Sequence, residues 1–291
     1  NIAMSLAHLM AVCLLATLLA VSGCSSSARS TSFADDVAFL RQHRDTIVLA
    51  SPDGQAKVAV VPSICGRVFT TTATGDSGPG YGFLNRPVIA SKTPLPKING
   101  YGGEDRFWLG PEGGQFAIFF DAGDKFTLDD WQTPAPIDTE PYRVTKQDAS
   151  SVTMTHDASF TNFTGHSLSV RIDRVVRLLD ADAISKDLGV SRGQAAGVAF
   201  ETQNAITNTG ASAWSRQTGM LSIWTLGMFK PSPSCTVVIP YVPGPERERG
   251  AVVKDDYFGK VPASRLAVTN RAIFFKADGL ERTKIGTSPR R

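Results

Sequence analysis

Polarity alternates within residues 167–179, and that alternation constrains the fold more than any other feature of the chain. Leu168, Val170 and Ile172 fall on one face, with Ser169, Arg171 and Asp173 on the other, the period of two expected of a half-buried strand. Short runs of similar β-forming character recur at 46–50, 57–61, 67–71, 115–120, 151–156, 198–208, 221–229, 236–241 and 272–276. Gly- and Pro-rich gaps separate them, as at 75–82, 94–103, 133–141 and 231–234. Only 35–43 and 180–188 read as short helices. Ten or more strands with so little helix predict a mainly β protein, a sandwich or a barrel. No linker divides the body, so residues 33–291 are expected to form a single domain. The chain is 42% hydrophobic and 20% charged, which excludes a collagen, a coiled coil and a wholly disordered chain. Its net charge is only +3, and the most charged run, Glu246-Arg247-Glu248-Arg249, cancels itself, so no nucleic-acid partner is expected.

The N-terminal segment carries a different signal. Residues 9–21 are apolar except Thr17. That run is shorter than the roughly 18 residues of a bilayer-crossing helix and matches the apolar part of a secretory leader, about 7–15 residues. It ends in Leu19-Ala20-Val21-Ser22-Gly23-Cys24 followed by three serines, which resembles the bacterial lipobox, although no Lys or Arg precedes the run. The expectation is a signal peptide over 1–23, a lipidated Cys24 opening a Ser-rich tether over 24–32, and anchoring to the membrane through Cys24. The protein would then sit in the bacterial cell envelope, at the periplasmic face or the outer membrane. Of the other cysteines, Cys13 leaves with the leader, while Cys65 and Cys235 either pair in an oxidising compartment or stay as separate buried thiols. No Cys or His spacing suits a structural zinc.

Candidate chemistry concentrates between Asn99 and Gly114. Two glycine pairs flank Glu104, Asp105, Arg106, Trp108 and Glu112. Glycines let a backbone approach a ligand closely, carboxylates accept sugar hydroxyls, Arg donates in a fork, and an indole face stacks on a pyranose. A turn-rich hairpin with an internal Glu–Arg pair would use the same residues structurally. The phosphate-loop ending is missing, and no cofactor is expected. A divalent cation held by the clustered carboxylates is a further reading. A second segment, 200–210, places Glu201, Gln203, Ala205 and Thr207 on one face and Phe200, Thr202, Asn204, Ile206 and Asn208 on the other. Amides and an acid on a strand can line a cleft. Among the histidines, His156 and His166 are candidates for a general acid.

Residues 102–114, with Asn204-Ala205-Ile206-Thr207-Asn208-Thr209-Gly210 and Trp224-Thr225-Leu226-Gly227-Met228-Phe229, resemble a group of bacterial lipoproteins similar to the galactose mutarotase-like proteins. The resemblance implies a large antiparallel β-supersandwich with an open sugar-binding cleft. It also implies a catalytic base on a late glutamate, for which Glu281 is the one candidate, and a histidine where this chain has Thr209. The chain stops at Pro289-Arg290-Arg291 without a final strand, which leaves a C-terminal truncation open. The combined expectation is a lipid-anchored protein that binds or processes carbohydrate. Glu104, Asp105, Glu112 and His156 are its catalytic candidates, and Arg106, Trp108, Asn204 and Asn208 its sugar contacts. The alternative is a non-catalytic binding or scaffold lipoprotein of the envelope. The sequence names neither the sugar nor the oligomeric state.

Overall fold

A computed structural model describes residues 31–188 and 193–290. The expected leader, Cys24 and the expected tether as far as residue 30 lie outside the described residues. The protein is mainly β, built from antiparallel sheets that remain open. Strands β1 (Ile47–Ala50), β2 (Lys57–Val61) and β3 (Arg67–Thr72) form one sheet in that order. A four-stranded meander follows, made of β5 (Arg143–Gln147), β6 (Ser151–Thr161), β7 (Ser167–Leu178) and β8 (Phe200–Asn208). Between them in sequence lies β4 (Arg106–Gly110), which pairs with β9 (Ser222–Leu226). Near the C-terminus β10 (Thr236–Pro240), β12 (Ala272–Lys276) and β11 (Leu266–Val268) form a three-stranded sheet in that spatial order.

The β1–β3 sheet is covered on both faces. Val58 and Val60 of β2 enter a core shared with Leu168, Val170, Ile172 and Val176 of β7. Ala59 and Val61 enter a second core under α1 (Phe33–His43), whose Phe33, Val37 and Leu40 are buried. That double burial explains why 57–61 reads as a continuous apolar run rather than an alternating one. Helix α1 starts at Ser32, whose Oγ accepts from the Asp35 amide at 3.1 Å while the Asp35 carboxylate accepts from the Ser32 amide at 3.0 Å, a reciprocal cap. The Ser32 hydroxyl also donates to the Asp35 carboxylate at 2.8 Å, and this bond with that from the Ser32 amide lowers the Asp35 pKa. The other helices are short: α2 (Arg86–Ala90), α3 (Ala181–Leu188) and α4 (Glu246–Arg249).

The expected helices at 35–43 and 180–188 form, as does every expected strand except one. Residues 115–120 are irregular. Their amides close turns instead of a ladder: Ala117 donates to Gly114 at 3.0 Å and Ile118 to Pro111 at 3.2 Å. Phe119 and Phe120 are buried and meet Trp131, with ring centroids 4.6 and 5.7 Å away. Aromatic packing holds the segment where strand pairing was expected. No helix among the described residues is long and apolar enough to cross a membrane.

Candidate functional site

A cavity of about 1020 Å³ lies where the acid-rich motif meets the C-terminal sheet. Its inner wall follows from local backbone geometry. Gly102 has φ +89°, and a Cβ there would lie 2.1 Å from the Phe83 carbonyl oxygen. Only glycine fits so close an approach at that φ, and it lets 102–104 lie against the backbones of 68–71 and 83. Segment 228–230 then threads alongside. Met228 donates to the Gly103 carbonyl at 2.7 Å, Phe83 donates to Met228 at 3.0 Å, and Lys230 donates to Tyr81 at 2.7 Å. This ladder sets Glu104, Tyr81, Phe229 and Lys230 around one hollow.

Glu104 is the buried acid of that hollow, only 5% exposed. Its carboxylate accepts from the Thr71 amide at 2.6 Å and from Thr71 Oγ1 at 2.9 Å. Burial pushes its pKa up to about 7, against the lowering pull of the Thr71 bonds and of Lys230. A carboxyl that titrates there can both give and take a proton near neutral pH. Lys230 in turn donates to Asp36 of α1 at 2.7 Å, and Asp36 also accepts from Arg86 at 2.7 Å. Arg265, which also lines the cavity, pairs with Asp278 and reaches Glu281 at 3.2 Å. The Arg265 bond holds the Asp278 carboxyl well below the usual carboxylate range. Glu281 therefore faces the same cavity as Glu104, and Tyr81 and Phe229 present partly exposed rings to it.

The remaining sequence candidates are engaged elsewhere. Asp105 pairs with Arg174, a fully buried arginine that also donates to Asn204 at 2.5 Å and to the Gly66 carbonyl at 2.9 Å. Asp105 and Asn204 thus meet, but through a core guanidinium. Arg106 donates to Asp138 at 2.8 Å and lies 4.1 Å over the Trp108 ring. Trp108 offers no platform for a sugar: it is 2% exposed, and its Nε1 donates to Glu112 at 2.7 Å. His156 meets Glu140 at 2.8 Å and stacks on Tyr142 at 4.9 Å. His166 bonds Thr164 at 3.1 Å in its turn. Asn208 donates to the Ser212 carbonyl at 2.9 Å and closes the loop after β8. Of the eight catalytic and sugar-contact candidates, Glu104 alone lines this cavity.

Cys65 and Cys235 are unpaired. Cys65 is buried, which pushes its thiol up to about 12, whereas Cys235 borders the cavity. Among the described residues no three His, Cys, Asp or Glu side chains gather where they could hold a metal ion. Sequence reasoning missed Thr71, Tyr81, Lys230 and Arg174. Only Arg174 left a signal, as a charge at an inward position of the alternating strand β7.

A family of unknown function, DUF6786, matches residues 31–291. The chain belongs to the DUF6786 family. The DUF6786 match takes in every segment that lines the cavity, from Thr71 to Thr283, and its description assigns no activity. No curated protein and no solved structure matches the chain.

Proposed function

We propose that this protein binds carbohydrate in the cavity bordered by Glu104, with Glu104 as the proton-transferring group and Glu281 as the second carboxylate. The single observation that carries the proposal is a buried carboxyl, shifted to about 7, at the wall of a cavity of about 1020 Å³. Perturbed acids in clefts are the usual mark of a functional site. The surroundings suit a sugar: Tyr81 and Phe229 offer ring faces for stacking, and Lys230, Arg265 and Thr283 offer donors. Acid–base chemistry on a sugar, either isomerisation or bond cleavage, is the reaction class that two carboxylates at one cavity support. This is also the role that the mutarotase-like resemblance implies for a late glutamate. Delivery to the cell envelope through a lipidated Cys24 belongs to the same proposal, and replacing Cys24 by Ser should release the protein from the membrane fraction.

The test is a calorimetric and thermal-shift screen of the whole protein against mono- and oligosaccharides, since a ligand of the folded state raises its melting temperature. A hit whose turnover disappears in Glu104→Gln, with binding largely retained, is the expected result. Affinity and turnover both untouched by that change would overturn the role of Glu104. A second reading, a non-catalytic binding or scaffold lipoprotein, draws on the internal engagement of Asp105, Arg106, Trp108 and Glu112. Saccharide binding without any turnover would favour it.

A further inference from the structure

A second cavity, of about 600 Å³, adjoins the first. Ala73 and Gly197 line both, so the two cavities meet at two of the smallest residues. Neither carries a side chain that reaches far into either cavity. The two compartments differ in chemistry. The first has aromatic faces and the Glu104 carboxyl. The second is walled by Asp53 and Gln55 of the β1–β2 turn, by Arg177 near the end of β7, and by Asp180 just before α3. Leu178 and Ile184 give it an apolar surface. Arg177 donates through Nε and Nη2 to Glu201, at 2.9 and 2.7 Å. A guanidinium carries five N–H donors, so it retains capacity for a ligand, and its side chain is 53% exposed.

Size decides what such a groove accommodates. A pocket enclosing one small ligand measures about 300–1,000 Å³. The first cavity already stands at the top of that range, and another 600 Å³ lies beside it. One sugar ring would leave most of this space to water. Alternation of ring-stacking faces in one compartment with hydrogen-bonding groups in the next suits a ligand made of repeated rings joined in line. Resting on the carbohydrate reading of the first cavity, we propose that the second cavity is a further subsite. The ligand is then a linear oligosaccharide that passes Gly197, not a monosaccharide.

The experiment is calorimetry on the whole protein with ladders of α-1,4- and β-1,4-linked gluco- and galacto-oligosaccharides, from the monomer to the hexamer. Affinity should climb about tenfold or more along a ladder that fits, equivalent to roughly 1.4 kcal/mol. Gly197→Phe, which puts a bulky ring where the two cavities meet, and Arg177→Ala, which strips the second compartment, should each flatten that climb. Circular dichroism and melting temperature verify that the variants fold. Arg177→Ala, at an exposed position, carries the test if Gly197→Phe does not fold. Equal affinity for monomer and hexamer overturns the second subsite while leaving the first cavity's reading intact. A climb that neither variant alters also overturns it. No binding by any saccharide of any length overturns both.

Discussion

At the scale of single residues, Glu104 and Arg174 are two buried charges with opposite relations to their surroundings. Glu104 titrates at about 7 in the fold, against an ordinary value of 4.5. Its folded form therefore holds the proton more tightly than the unfolded chain. The stability this contributes is complete below about pH 4.5 and is lost as the pH rises through 7. The span corresponds to a loss on the order of 3 kcal/mol. Glu104→Gln should therefore show a flatter stability profile than the wild type between pH 4.5 and 8, read from denaturant midpoints. An identical slope in both would mean that the carboxyl is not buried as described. Arg174 is held in the core by Asp105, Asn204 and the Gly66 carbonyl. Replacing it with Met should cost about 3–5 kcal/mol, because Asp105 is left without its partner. The double variant Arg174→Met/Asp105→Asn should recover part of that loss, measured by urea unfolding. No recovery would assign the cost to packing alone.

At the scale of elements, the reciprocal cap of α1 is the local feature with the clearest energetic consequence. Ser32→Ala removes the acceptor for the Asp35 amide and should cost about 1 kcal/mol, lowering the melting temperature by about 2–4 °C for a chain of this size. Strand β9 makes a different prediction. It pairs with β4 in a two-stranded sheet, and Ile223, Trp224 and Leu226 along it are exposed. Apolar edge strands promote association, so Trp224→Lys should reduce self-association at high concentration, followed by light scattering. Elements of this kind were largely legible in the sequence. Periodicity identified β7 because one face of it is polar, and α1 because Val37 and Leu40 recur on one side. Residues 115–120 misled because burial of aromatics and burial in a sheet leave the same apolar trace. The site was less legible. Glu104 stood out among glycines and Glu281 through the family resemblance, but Thr71, Tyr81 and Lys230 come from segments far apart in the chain, and nothing local marks any of them. The other motif residues drew notice for their chemistry, yet Arg106 and Trp108 spend it on each other, on Asp138 and on Glu112.

At the scale of the whole molecule, burial sorts the two body thiols. Cys65 is 1% exposed with its thiol pushed up to about 12, while Cys235 borders the cavity. Brief alkylation of the native protein followed by peptide mapping should therefore modify Cys235 and spare Cys65 until the chain is denatured. A bound ligand in the cavity should slow the first reaction. Equal labelling of both under native conditions would contradict the packing around Cys65. The two-sided burial of β2 bears on how such denaturation proceeds. With Val58 and Val60 in one core and Ala59 and Val61 in the other, neither core can open without exposing the strand they share. The layers around β2 thus form one cooperative unit rather than two that melt in turn. Its amide protons should exchange with solvent only at the rate of global unfolding, slower than those of the exposed strand β5 at the meander's edge.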